Sequence, residues 1–94
     1  MDKAEAQQVL ARELTVLRGL PYDDLVERFL NRSESSWVTA NSGARYQLEL
    51  QAFWDDPRNR TLRIAAAVDD GGWRAWKPLT ESFIIGPDGA FIGE

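Results

Sequence analysis

Two stretches of the chain concentrate side chains capable of chemistry, 45-RYQLELQAFWDD-56 and 66-AAVDDGGWRAWKP-78. Each carries a pair of neighbouring aspartates, Asp55/Asp56 and Asp69/Asp70, and oxygen-rich pairs of this kind suggest calcium. Calcium takes six to eight oxygens, and an EF-hand loop spaces them as Asp-x-[Asp/Asn]-x-[Asp/Asn]-Gly with a later Glu. Neither pair has that spacing. If the run Thr61–Val68 between them is a strand, its rise sets the pairs roughly 20 Å apart, too far to share one ion. The aspartates therefore read as turn residues, and no metal site is expected. Carboxylate catalysis would need a positioned acid–base pair. Glu49 and Glu81 are the natural candidates, yet nothing in their spacing couples them, and Glu49 serves equally as a cross-strand partner for Arg63 or Arg45. Histidine and cysteine are both absent. This excludes Ser–His–Asp and Cys–His triads, thiolate nucleophiles, disulfides and His- or Cys-ligated zinc. No residue stands out as catalytic, and no cofactor-binding motif of the Walker or GxGxxG type occurs.

The aromatic and arginine residues of the same stretches suggest a different chemistry. Asp-Gly between two apolar-rich runs is favoured in tight hairpin loops, which require positive φ. With Asp70-Gly71 as the loop, Val68 opposes Trp73, Ala67 opposes Arg74 and Ala65 opposes Trp76. Trp73 then joins the core face, and Trp76 projects from the opposite face over small alanines. Trp76, with Phe53, Arg63 and Arg74, forms a candidate interaction patch, because Trp and Arg are enriched among interface hot spots. The plainer reading has Trp76 merely covering the alanines beneath the C-terminal segment. Aromatics interleaved with arginine also suit single-stranded nucleic acid. The excess of 15 acids over 11 bases, net charge -4, counts against that partner.

The elements that position these residues follow from hydrophobic periodicity. The chain has 94 residues, 44% of them hydrophobic and 28% charged, which suits one globular domain spanning 1–94. Ala6, Val9, Leu10, Leu14 and Leu17 recur at helical steps after Asp2, a good N-cap, and before Gly19. A second helix starts behind Pro21, with Leu25, Val26, Phe29 and Leu30 as its apolar stripe. The spacing predicts helices over about 3–18 and 22–31, followed by a polar connector, 31-NRSESS-36. The period then changes to two. Tyr46, Leu48, Leu50, Ala52 and Trp54 face one side, and Arg45, Gln47, Glu49, Gln51 and Phe53 the other. Strands are expected over about 36–40, 45–54, 61–68, 73–77, 82–85 and 90–92, with Gly-Pro-Asp-Gly at 86–89 as a type I turn. The fold class is α+β, a two-layer arrangement with two N-terminal helices packed on one face of an antiparallel meander sheet of three to five strands. The N-terminus has no apolar run suited to a signal peptide and nothing spans a bilayer, so a cytoplasmic protein is expected.

The C-terminal stretch 82-SFIIGPDGAFIGE-94, together with the DDGG turn and 78-PLTESF-83, resembles a family of small uncharacterised bacterial proteins of unknown function ending in an "SFI..PDG.F.GE" pattern. The resemblance covers mainly the C-terminal half and implies a self-contained domain ending at Glu94. It implies no activity. The expected function is a non-enzymatic protein–protein interaction module, using the open sheet face or a sheet edge to meet a protein partner or a second copy of the chain. The competing expectation is a small-ligand or carboxylate-dependent enzyme domain, with Tyr22, Tyr46 or Glu49 converging on a pocket between helices and sheet.

Overall fold

A computed structural model describes residues 2–71 and 78–94. Helix α1 spans Lys3–Arg18, and the Asp2 carboxylate accepts the Glu5 N–H at 3.1 Å, satisfying one of the free donors at the helix start. Its buried stripe is Ala6, Val9, Leu10, Leu14 and Leu17, the set that the three- and four-residue spacing selects. Helix α2 spans Tyr22–Phe29, enters behind Pro21, carries Asp23 and Asp24 in its first turn, and buries Tyr22, Leu25 and Phe29. It ends two residues before the predicted limit. Leu30 forms an isolated parallel bridge with Ala52, and the Asn31 N–H donates to the Ala52 carbonyl at 2.9 Å, so the sheet captures the backbone that would have continued the helix.

Five strands follow: β1 Ser33–Thr39, β2 Arg45–Asp56, β3 Thr61–Asp69, β4 Leu79–Ile85 and β5 Phe91–Ile92. They form one sheet in the order β1-β2-β3-β4-β5, every neighbouring pair antiparallel. The fold is thus α+β, with α1 against β3 and β4 and α2 against β2 on the same sheet face. Leu25, Leu62 and Val68 are completely buried between the layers. Each contributes about 1.5–3 kcal/mol of apolar transfer free energy. Among the described residues no helix is long and apolar enough to cross a membrane.

Two sequence expectations need correction here. The segment expected as a polar connector, 31-NRSESS-36, enters the sheet at Ser33, because β1 is defined by backbone pairing to β2 rather than by buried side chains. Strand β4 begins at Leu79, earlier than the expected 82. The free side of β3 is filled by β4 in the register Val68↔Leu79, Ala67↔Thr80 and Ala65↔Ser82. That register places Phe83 opposite Ile64 and Ile85 opposite Leu62, so all four side chains enter the core together. The expected strand 73–77, with its pairings of Val68 to Trp73 and of Ala65 to Trp76, lies outside the described residues. The turn at 86–89 forms as its composition requires: the Gly89 N–H donates to the Gly86 carbonyl at 2.9 Å and Gly89 takes φ +84°.

Candidate interaction face

Strand alternation sends one set of side chains to the helices and the other set to the sheet face away from them, which no described helix covers. The register carries a single row across four strands on that open side: Phe53 on β2, Arg63 on β3, Ile84 on β4 and Ile92 on β5. Three interstrand steps give the row a width of about 14 Å. Phe53 is 42% exposed and Ile92 44%, while Ile84 is half-buried. Arg63 lies between the apolar members and is tethered on both sides. Its Nε and Nη2 donate to Asp55 Oδ1 at 3.2 and 2.9 Å, and Nη1 donates to Ser82 Oγ at 2.9 Å. The ion pair is one-third exposed and adds at most about 1 kcal/mol of stability. Its larger effect is to fix the guanidinium in one place and to neutralise it.

Trp37 occupies the other end of the open face, in the row Trp37–Gln47–Asp69. It is half exposed, and the Arg45 guanidinium stands 5.2 Å from its ring centre. Its far edge covers Gly71, where an added Cβ would sit 2.7 Å from Trp37 Cη2. The Gly71 N–H donates to Asp69 Oδ1 at 2.7 Å, and its φ of +77° belongs to the left-handed region. Six residue steps along β2, from Gln47 to Phe53, separate the Trp37 row from the Phe53 row, about 20 Å along the strand. The residues between them, such as Ser35, Glu49, Ala67 and Ser82, are small or polar.

Of the four residues expected in the patch, the structure brings Phe53 and Arg63 directly opposite each other. Trp76 and Arg74 lie outside the described residues. Sequence reasoning missed Ile84 and Ile92, whose side of the sheet depends on the β3–β4 register, and Trp37, whose side depends on the Ala40–Ala44 closure of the first hairpin. The signal available for Ile84 was its parity with Phe83 and Ile85, both of which the core demands.

The residues of the competing pocket reading do not converge. The Tyr22 hydroxyl donates to the Arg60 carbonyl at 2.6 Å. The Tyr46 hydroxyl donates to Glu5 Oε1 at 2.8 Å, at the α1 N-terminus. Burial, reinforced by that hydrogen bond and by the negative charges of Glu5, Asp2 and Asp70, pushes the Tyr46 phenol up to about 12. Glu49 sits on the opposite face and accepts from Ser33 Oγ and Gln51 Nε2 rather than pairing with Arg63 or Arg45. A depression lined by Leu20, Asp24, Glu27, Arg28 and Arg32 lies on the solvent side of α2, away from the packed helix–sheet interface.

The aspartate pairs fall at opposite ends of β3. Asp56 accepts the Arg58 N–H and the Asn59 side chain, Asp55 holds Arg63, and Asp69 holds Gly71. No group of three or more acidic side chains among the described residues is placed to hold a metal ion. Comparison with protein-family models, with curated proteins and with solved structures finds no match for the chain, so the functional reading rests on the face just described.

Proposed function

We propose that this chain is a non-enzymatic protein-binding module working in the cytoplasm, and that it engages another protein through the Phe53–Arg63–Ile84–Ile92 row. The observation that carries this reading is the row itself. It places three apolar side chains in one line with Arg63 on a sheet face that the helices leave uncovered, two of them more than 40% exposed. Exposed apolar groups aligned around a tethered arginine resemble the centre of an interface, where aromatic and Arg anchors dominate the binding energy. Because Asp55 neutralises Arg63, the row favours an apolar protein surface over a phosphate-bearing polymer. The absence of histidine and cysteine from the chain, together with the scattered positions of Tyr22, Tyr46 and Glu49, supports a binding role over catalysis.

The test is affinity capture from native lysate with three baits: the wild-type chain, Phe53→Asp, and Val16→Asp. Val16 is 60% exposed and lies on α1, so its substitution controls for the loss of any exposed apolar side chain. The reading expects a protein retained by wild type and Val16→Asp and lost by Phe53→Asp. Equal retention by all three baits would refute it.

A further inference from the structure

The outer edge of β1 offers a second surface, separate from the open-face row. At one end of the first hairpin the Ala40 N–H donates to the Ala44 carbonyl at 2.8 Å. At the other end the Ala52 carbonyl accepts the Asn31 N–H at 2.9 Å. Both bonds fix the even-numbered residues of β2 as those whose backbone groups point toward β1. Bonded and non-bonded pairs alternate along an antiparallel ladder. Glu34, Ser36 and Val38 therefore bond to β2, while Ser33, Ser35, Trp37 and Thr39 turn their N–H and C=O groups outward. Arg12 on α1 is consistent with this pattern: its Nη2 donates to the outward Thr39 carbonyl at 3.4 Å.

Sheet edges are normally blunted by Lys, Pro, a bulge or a covering element. Strand β1 has no Lys and no Pro, and its register with β2 runs unbroken from Ser33 to Thr39. Its one charged residue, Glu34, meets Arg28 at 3.3 Å in an exposed pair that leaves the carboxylate open to a second cation. We propose that two copies of this chain pair antiparallel through their β1 edges, about a two-fold axis at Ser36, joining their sheets into one. In that register Ser35 opposes the partner's Trp37, Glu34 opposes the partner's Val38 and Ser33 opposes the partner's Thr39. All seven residues of the strand find a partner, outward groups meet outward groups, and no like charges face each other.

Charge complementarity selects a second copy over an arbitrary strand. Arg12 stands at the Thr39 carbonyl on the helix side of the sheet. Thr39 faces the partner's Ser33, so Arg12 comes beside the partner's Glu34, whose side chain lies on the same helix side, and two-fold symmetry repeats the contact. On the open face, Ser33 and Ser35 leave room for the partner's Trp37, and the two Trp37 positions become diagonal neighbours roughly 7–8 Å apart along the backbone. A strand edge alone is a small interface, so the dimer should be weak, with a Kd of about 10–500 µM.

Sedimentation over graded concentrations tests this. The wild-type chain should shift from monomer to dimer across that range. Ser35→Pro removes an outward donor that β2 does not use and sets a ring against the edge, so it should weaken the dimer by at least about tenfold while circular dichroism stays native. Arg12→Glu, an exposed helix substitution, should weaken it by a similar factor, and adding Glu34→Arg should restore it. Phe53→Asp should leave the dimer unchanged, which separates this interface from the open-face row. A wild-type chain that stays monomeric up to about 1 mM would overturn the proposal. So would a dimer indifferent to both Ser35→Pro and Arg12→Glu. Should Ser35→Pro unfold, the Arg12→Glu and Glu34→Arg exchange decides.

Discussion

Tyr46→Phe isolates one hydrogen bond that joins the first turn of α1 to the start of β2. The Tyr46 hydroxyl donates to Glu5 Oε1 at 2.8 Å, and its phenol pKa is raised from 10.0 to about 12, first by burial and then by Glu5. A raised folded-state pKa means that the neutral phenol is favoured by folding. Its contribution is therefore fully present below about pH 10 and is lost as pH rises through about 12. Two units correspond to a ceiling of about 2.7 kcal/mol. Of this, the hydrogen bond to the half-exposed Glu5 contributes about 1 kcal/mol at neutral pH. Urea unfolding should find Tyr46→Phe less stable by about 1 kcal/mol near neutral pH, with the gap to wild type closing between about pH 10 and 12. In a Tyr22→Phe background, tyrosinate absorbance reports Tyr46 alone and should show a midpoint near 12. A midpoint near 10, or parallel pH profiles for wild type and Tyr46→Phe, would refute the reasoning.

Other substitutions test the local arguments. Gly71→Ala forces a side chain into φ +77° and sets its Cβ 2.7 Å from Trp37 Cη2. It should cost about 1–3 kcal/mol in urea unfolding, with Gly71→Asn costing less because Asn tolerates the left-handed region better. Leu25→Ala, at a completely buried position between α2 and the sheet, should lower stability by about 2–5 kcal/mol through lost burial and a residual cavity. Asp2→Ala removes the carboxylate that accepts the Glu5 N–H and should cost about 0.5–2 kcal/mol, visible as a lower urea midpoint with an unchanged slope.

The parts of the fold that could be read from sequence are those where burial imposes a period. The α1 stripe and the alternating faces of β2 and β3 match their patterns residue by residue, because one side of each packs against the other layer. Strand β1 gave no such signal before Ser36. Glu34 and Ser36 face the helix side yet remain exposed, so backbone pairing alone places them in a strand. The start of β4 is illegible for a different reason: burial of Phe83 and Ile85 beside Ile64 and Leu62 sets the β3–β4 register from a distance, and Leu79–Ser82 follow it without an apolar alternation of their own. The same division governs the site. Phe53 and Arg63 share a face and adjacent strands, both legible from parity. Ile84 and Ile92 join the row through the β4 register, which no local pattern sets, and the Trp37 side of the sheet depends on the closure at Ala40 and Ala44.

The central claim is that the Phe53–Arg63–Ile84–Ile92 row meets another protein. Its most direct measurement is photo-crosslinking in the native cells, with a photoreactive phenylalanine at position 53 and, in a separate chain, at position 16. The account expects a discrete crosslinked protein from position 53, abolished by Ile92→Asp, and none of that species from position 16. Absence of any species specific to position 53, or the same crosslinks from both positions, would contradict it.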